Sequence, residues 1–428
     1  MSISQNRKIR SITDSTLVIG ADIAKKVHIA RASNARGIEL GKSLSFDNTR
    51  HGMDKLLMWM RSIMADHACD NIIFGVEPTG HYWMNLAQFL RQHGIKVVLV
   101  NPLHVKKSKE LDDNNPTKND HKDARVISQL VKDGRYSVPN IPEDVYAELR
   151  VGMNQRERLV EDLKRVQGRV HNWVDRYFPE FTEVFCDWEG KAALTCLRQC
   201  PCPQDVSVKT AEEIVHMWRS AKILRGVGIK RAQALVDISL QSIGLTQGLG
   251  MAHEELACLL KQYDLLQQEL GQLLTKIEQL LESIPGAAQM LTVPGIGVVT
   301  VAGFIAEVGD VSSYEHWRQI QKLAGFNLRE NSSGTHKGKS RITKRGRPRL
   351  RALLYRATLV LAAKNPQFQA LHKYFTRRVD NPLKPMQSLI ALCCKLIRVL
   401  FTLGTKEVDY APEKVLGPIR STELQQAA

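Results

Sequence analysis

Four carboxylates stand out by where they sit. Asp22 lies within the apolar run Leu17-Val-Ile-Gly-Ala-Asp-Ile23. A carboxylate in such a run is expensive to desolvate unless something binds it. Glu77 closes a second apolar run, Asn71 to Val76, and is followed by Pro78-Thr79-Gly80. Asp120 and Asp123 belong to Lys118-Asn-Asp-His-Lys-Asp-Ala-Arg125. If Asp120 to Val131 is helical, their i, i+3 spacing puts both on one face. Acids at strand ends and on one helix form a donor set for a pair of Mg²⁺ ions. In phosphodiester chemistry such ions activate a nucleophile and stabilise the leaving oxygen. Each acid also has a plainer reading: Asp120 as an N-cap, Asp123 as a charge facing the positive helix end, Glu77 as the partner of an arginine. The nearby Asp112 and Asp113 read as solvated loop charges. The joint pattern, rather than any single acid, points to a metal.

A second constellation lies far along the chain. Asn331-Ser332-Ser333-Gly334 precedes a window, Asn331 to Val379, that contains no acidic residue. Lys337, Lys339, Arg341, Lys344, Arg345, Arg347, Arg349, Arg351 and Arg356 all fall inside it. A one-signed stretch of this length repels itself unless an anion binds, and nucleic acid is the natural ligand. A serine beside such a patch can attack a phosphodiester, forming a phosphoserine link and releasing a 3′-hydroxyl; the plainer reading of Ser-Ser-Gly is a turn. Just upstream, Leu291-Thr-Val-Pro-Gly-Ile-Gly-Val298 has the form of a helix-hairpin-helix. Gly295 and Gly297 permit the tight turn, and the turn amides can face a phosphate without reading base sequence. A weaker copy occurs at Leu224-Arg-Gly-Val-Gly-Ile229. A plain glycine-rich connection between helices is the alternative for both.

The elements that must carry these residues can be read from hydrophobic periodicity. The chain has 428 residues, enough for two or three domains, and a net charge of +16 that favours a polyanionic partner, nucleic acid before an anionic membrane. Residues 15–135 read as α/β: strands at Leu17–Ile23, His28–Ser33, Ile38–Leu44, Asn71–Val76 and Lys96–Val100, with helices at Met53–Met64 and Trp83–Gln92. Three strands followed by alternating helices and strands is the element order of an RNase-H-like fold. From Val145 the pattern is helical up to Tyr177, then irregular over 179–210. Leu256, Leu259, Tyr263, Leu266, Leu270, Leu273, Ile277, Leu280 and Ile284 form an a/d heptad seam. The seam requires a helical partner, either a second subunit, which we favour, or the helix from Val145. The spacing divides the chain into 15–135, a helical middle 145–284 with coiled-coil character, a C-terminal helical domain 285–403, and a loose tail 404–428. Cys186, Cys196, Cys200 and Cys202 lack the paired spacing of common zinc sites and read as reduced thiols. No apolar run suited to a bilayer and no signal-peptide core is evident, so a soluble cytoplasmic protein is expected.

The motifs Val18-Ile-Gly-Ala-Asp22, Gly75-Val-Glu77-Pro-Thr-Gly80 and Asp120-His-Lys-Asp123-Ala-Arg resemble those of the DEDD transposases of the IS110 family, its IS1111 subgroup included. Val293-Pro-Gly-Ile-Gly297, Leu323-Ala-Gly-Phe326, Ser333-Gly334 and Ile342-Thr-Lys-Arg-Gly346 through Leu350-Arg-Ala-Leu-Leu354 resemble the C-terminal transposase domain of the same family. The resemblance spans about 15–135 and 285–365; 178–250 has no counterpart in it. It implies a RuvC-like N-terminal domain whose metal ligands are Asp22, Glu77, Asp120 and Asp123. It also implies a serine nucleophile at Ser333, with Ser332 as the alternative register in the doublet. Asn327-Leu-Arg-Glu-Asn331 stands where a proline is more usual and loosens the local alignment. Further implications are a structured guide RNA from the protein's own element, pairing with target and donor DNA, and assembly into multimers. Two rival functions remain: a RuvC-like nuclease using water, and a non-catalytic nucleic-acid-binding protein.

Overall fold

The structure, a computed structural model, describes residues 3–113, 120–329, 332–333, 336–338 and 341–417; at 3–4, 110–113, Asp120, Ser332, Ser333, His336 and Lys337 the description is of the backbone. The chain forms two compact units, Met1–Ile141 and Pro142–Ala428.

In the first unit β1 (Thr16–Asp22), β2 (Val27–Ser33), β3 (Leu44–Asp47), β4 (Asn71–Val76), β5 (Lys96–Val100) and β6 (Tyr136–Ser137) make one sheet in the order β3-β2-β1-β4-β5-β6. β1 runs parallel to β4, and β4 to β5, whereas β2, β3 and β6 pair antiparallel with their neighbours. Helices α1 (Ile3–Arg10), α2 (Arg50–Asp66), α3 (Trp83–Gln92), α4 (Pro102–Asp113) and α5 (Asp120–Lys132) complete the unit. This mixed sheet with helices is consistent with the expected RNase-H-like domain.

The central strands are apolar throughout because both faces are covered. Alternate residues serve different cores. Leu17, Ile19, Ala21, Phe74 and Val76 pack with Leu56 and Met60 of α2 and Leu86 and Leu90 of α3. Val18, Ile73, Val98 and Val100 pack with Val126, Ile127, Leu130 and Val131 of α5. One strand is displaced from its expected place. The third is Leu44–Asp47 rather than Ile38–Leu44. Gly41 takes a left-handed φ of +67° that bends the chain, Ile38 is exposed, and Phe46 supplies the buried side chain opposite His28.

The second unit is helical. α6 (Asp144–Tyr177) and α12 (Leu249–Glu282), each 34 residues long, lie antiparallel. Trp173 Nε1 donates to Ala252 O at 2.9 Å, and Arg176 pairs with Glu255 at 3.2 Å near one end. At the other end Gly152 faces Ile277 and Leu273. The heptad seam is therefore packed within the chain against α6, which corrects the favoured reading of a second subunit as its partner. Ile277 is fully buried, so Ile277→Ala is expected to cost about 2–4 kcal/mol, against under about 0.5 for Leu265→Ala on the exposed side of α12. Urea melts of the two variants check this; equal costs would contradict an intrachain seam.

The stretch 179–210, expected to be irregular, holds α7 (Phe181–Val184), α8 (Lys191–Gln199) and α9 (Pro203–Ser207), followed by α10 (Ala211–Ser220) and α11 (Ile229–Leu240). Trp188, Cys196, Cys200, Cys202 and Pro203, which suggested loops, are buried, whereas Cys186 is exposed. Trp173, Phe181, Trp188, Cys196, Cys202 and Trp218 pack together with Leu256 and Tyr263. None of the eight cysteines is paired in a disulfide.

α13 (Ala287–Leu291), α14 (Val298–Val308) and α15 (Trp317–Ala324) precede four two-residue strands, β7 (Leu328–Arg329), β8 (Ser332–Ser333), β9 (His336–Lys337) and β10 (Arg341–Ile342). α16 (Pro348–Lys364), α17 (Pro366–Arg377), α18 (Pro385–Lys406) and α19 (Pro412–Leu416) follow. The expected loose tail from 404 is packed at least to Leu416, because Val415 is buried against this core. α18 corrects the sequence reading that no segment is suited to a bilayer, since it is long and apolar enough to cross a membrane by length and composition. Its Leu392, Leu396, Ile397 and Leu400 are fully buried in the C-terminal core, the setting of an interior helix.

Candidate metal centre and basic face

The site in the first unit begins with two glycines. Gly20 and Gly75 are register partners on the adjacent parallel strands β1 and β4. A Cβ on Gly20 would stand 2.1 Å from Ala124 O and 2.3 Å from Ser128 N, and one on Gly75 would stand 2.4 Å from Val131 Cγ2. The sheet thus offers a bare strip on which α5 lies with its own backbone in contact. Small residues at Ala124 and Ser128, one turn apart, complete the close approach. This seats Asp123, one residue before Ala124, and fixes the backbone of Asp120 in the first turn of the same helix.

Asp22 ends β1 and Glu77 follows the last residue of β4. Ala21 and Val76 are register partners, so the two acids leave neighbouring parallel strands side by side, about 5 Å apart along the hydrogen-bonding direction. Both are half-buried. Thr79 Oγ1 donates to Glu77 Oε1 at 2.9 Å and orients that carboxylate. Behind Asp22 the turn into β2 is held by His28, whose Nδ1 accepts from Ala24 N at 3.2 Å. Burial pushes the His28 imidazole below its ordinary range, partly offset by the Asn48 side chain, so the acceptor nitrogen stays unprotonated at neutral pH.

Asp123 is 6% exposed. Its Oδ2 is paired with the ammonium of Lys109 on α4, and its Oδ1 is buried without a hydrogen-bond partner. A buried carboxylate oxygen with no hydrogen-bond partner is costly, and it is an atom able to serve as a cation ligand. The donors are all carboxylate oxygens, the set that suits a hard divalent ion. Both features suit a hard divalent ion, although the carboxylate oxygens of Asp22, Glu77 and Asp123 do not gather within 4.8 Å of one another as they stand. The side chain of Asp120 lies outside the described residues.

The second constellation is in the other unit. Ser333 ends β8 and is register partner to His336, which opens β9; Ser332 pairs with Lys337. Arg329 pairs with Arg341 and Leu328 with Ile342. The serine doublet therefore lies on the distal rungs of a two-part hairpin rather than in a plain turn. Gly334 and Lys339 lie outside the described residues, as do the side chains of Ser332, Ser333 and Lys337.

The basic residues that follow fall into two groups. Arg341, Lys344 and Arg345 are exposed. Arg347 is tied to Glu307, at 3.6 Å from its carboxylate and also through the backbone carbonyl. Arg349 pairs with Glu157 at 2.9 Å and reaches Asn154. Arg351 donates to Ala324 O at 3.0 Å and Lys344 O at 3.2 Å. Sequence alone placed all of these with DNA; in the fold the last three also clamp the segment that presents the others.

The glycine-rich turn joins α13 to α14. Gly295 has φ +95°, and Gly297 is the extended N-cap of α14, with no side chain capping its first amides. Pro294 and Gly295, between buried Val293 and Ile296, are exposed, as is Gly297 just after them. The weaker copy has the same form. Gly226 has φ +68°, and Gly228 is the extended, uncapped N-terminus of α11.

Sequence reading missed Lys109, Thr79 and the glycine strip. Only the strip had a visible signal, a glycine inside each of two apolar strands. It also missed that the fold brings Cys202, Asp205 and His253 together.

Comparison with known proteins agrees with this layout. A transposase family model for the DEDD domain of IS110 matches residues 19–179, and the Transposase IS116/IS110/IS902 family model matches 287–373. The chain is 24% identical to the 44.8 kDa protein of insertion element IS116 from Streptomyces clavuligerus, over 67% of this chain and 71% of the other. It is 23% identical to the pilin gene-inverting protein of Moraxella bovis, over 90% and 94%. It is 25% identical to the transposase for insertion sequence element IS1111A of Coxiella burnetii, over 40% and 47%. The DEDD signature implies use of a divalent metal. The first matched segment contains Asp22, Glu77, Asp120 and Asp123, and the second contains Ser333 and the basic face. Through these two segments the chain belongs to the IS110 family of transposases, enzymes that process DNA.

Proposed function

We propose that the protein catalyses Mg²⁺-dependent DNA strand cleavage and exchange through a phosphoserine intermediate. The observation that carries the metal part is the buried, unpartnered Oδ1 of Asp123 on the helix that lies across β1 and β4. Asp22, Glu77, Asp120 and Asp123 would hold the metal, two ions per site. Magnesium, when bound, supplies charge stabilisation at a scissile phosphate. Ser333 supplies the nucleophile. Its Oγ–P bond forms as the P–O3′ bond breaks, and the proton lost by the serine balances the one gained by the departing 3′-hydroxyl. A strand end bearing a free hydroxyl then reverses the attack and frees the serine. Arg341, Lys344 and Arg345, with Lys337 and Lys339, bind phosphates, as do the exposed amides at Gly295 and Gly297. Arg347, Arg349 and Arg351 hold that surface in place.

In this reading the ends of the chain, 15–135 and 285–403, carry the chemistry, and 145–284 links them in sequence. Guidance by a structured RNA of the same element is supported by the family resemblance and permitted by the +16 charge. Assembly into a dimer or tetramer would use a surface other than the α12 seam, which α6 occupies. The metal part is tested by chelation. With labelled element-junction DNA and RNA transcribed from the flanking region, excess EDTA is expected to stop cleavage and Mg²⁺ to restore it. Cleavage that continues in EDTA overturns the metal-carboxylate reading.

A further inference from the structure

The segment 180–286 lies in neither matched part of the chain. Within it Cys202, Asp205 and His253 converge, their ligand atoms all within 4.8 Å of one another. Cys202 is the N-cap of α9 and Asp205 is the third residue of that helix, while His253 stands in the first turns of α12, some fifty residues on. His253 Nε2 is 3.2 Å from Cys202 Sγ and 3.1 Å from Asp205 Oδ2. Both contacts use the same ring nitrogen. A Cys-His-Asp relay would need both nitrogens, so this is not a nucleophile with its base and orienting acid. One nitrogen can offer either one proton or one lone pair. It therefore leaves one of its two neighbours poorly served.

We propose that Cys202, Asp205 and His253 form a zinc site that fastens the short helix α9 to the start of α12. Thiolate, imidazole and carboxylate are the ligands zinc favours, and a soft thiolate disfavours magnesium or calcium. In a tetrahedral zinc site neighbouring ligand atoms stand about 3.3–3.6 Å apart. The observed 3.1 and 3.2 Å contacts reach that spacing with a shift of a few tenths of an ångström. Cys202 is fully buried whereas Asp205 and His253 are partly exposed, which gives a closed inner side and an outer side where water completes the four ligands. Asp205 Oδ2 also accepts from Cys202 N at 2.9 Å, and a carboxylate has lone pairs for both roles.

The test uses the full-length protein stripped of metal and titrated with Co²⁺. Only a thiolate ligand gives the near-ultraviolet sulfur-to-cobalt charge-transfer band, so carboxylate sites elsewhere in the chain stay silent. Wild type is expected to develop the band at one equivalent and lose it when Zn²⁺ is added. Cys202→Ser is expected to lose the band. His253→Ala, a change at a partly exposed position that leaves the far-ultraviolet spectrum as in wild type, is expected to weaken cobalt binding roughly 100-fold or more, beyond the usual effect of losing an outer-sphere contact. Zn²⁺ is expected to raise the thermal midpoint of wild type and not that of His253→Ala. No band in wild type, or a band of equal affinity in His253→Ala, overturns the proposal.

Discussion

Replacing Asp123 with alanine is expected to lower DNA cleavage by about 1,000-fold or more while leaving the fold and DNA binding in place. Loss of a metal ligand removes several kcal/mol of charge stabilisation that exists only at the scissile phosphate, and about 4 kcal/mol corresponds to that factor. The same substitution is nearly neutral for stability, within about 1 kcal/mol, because Asp123 Oδ1 makes no hydrogen bond in the protein. Lys109, whose side chain is 28% exposed, can turn its ammonium to water when its partner goes. Asp123→Asn keeps the shape and is expected to be equally inactive. A cleavage assay, a DNA-binding titration and a thermal melt on the same preparations check all three statements. Cleavage by Asp123→Ala within tenfold of wild type would contradict the role given to this carboxylate.

Gly20→Val is expected to destabilise the first unit by about 3 kcal/mol or more and to abolish cleavage, although Gly20 bears no reactive group. The new Cβ would fall 2.1 Å from Ala124 O and 2.3 Å from Ser128 N, both backbone atoms of α5. The helix must lift for the residue to fit, and Asp123 lifts with it. Gly75→Ala is milder, about 1 kcal/mol, because its nearest obstacle is the side chain of Val131, which can rotate away. Gly168→Ala in α6, with nothing within 4 Å of its Cβ, is a control expected to stabilise slightly, by about 0.5–1 kcal/mol. Calorimetry and cleavage assays separate the three. If Gly20→Val melts and cleaves as wild type does, the glycine strip does not position the site.

Much of the first unit was legible because its strands are apolar in a pattern that only two-sided burial explains. β1, β2, β4 and β5 fall within a residue or two of their expected places. The third strand was misplaced because Ile38 reads as a strand residue in isolation; the bend at Gly41, which exposes it, depends on backbone conformation rather than hydropathy. The seam of α12 was legible as periodicity, yet periodicity carries no information about whose helix fills the groove. That answer rests on long-range contacts such as Trp173 with Ala252. The segment 179–210 was misread because its proline, cysteine and tryptophan content suggested loops, whereas here Pro203 opens a helix and Trp188 and Cys196 fill a core.

The acids of the first site were legible through their positions in apolar runs, and the fold seats Asp22 and Glu77 on adjacent strand ends. Their helpers were not. Lys109 and Thr79 are ordinary surface residue types, and nothing in their spacing ties them to Asp123 or Glu77. His253 was invisible as a partner of Cys202 because the two are joined only by the packing of α9 on α12. The arginines were legible as charge, but their division into clamps and exposed cations depends on where Glu157, Glu307 and the Lys344 carbonyl come to lie.

The most direct test of the central claim is a denaturing gel of protein incubated with Mg²⁺, labelled element-junction DNA and RNA from the flanking non-coding region, run for wild type, Ser333→Ala and Ser332→Ala. The account predicts a covalent protein–DNA band in wild type and Ser332→Ala that is absent in Ser333→Ala. Cut DNA without a covalent band, equal in all three proteins, would mean that water is the nucleophile and would contradict it.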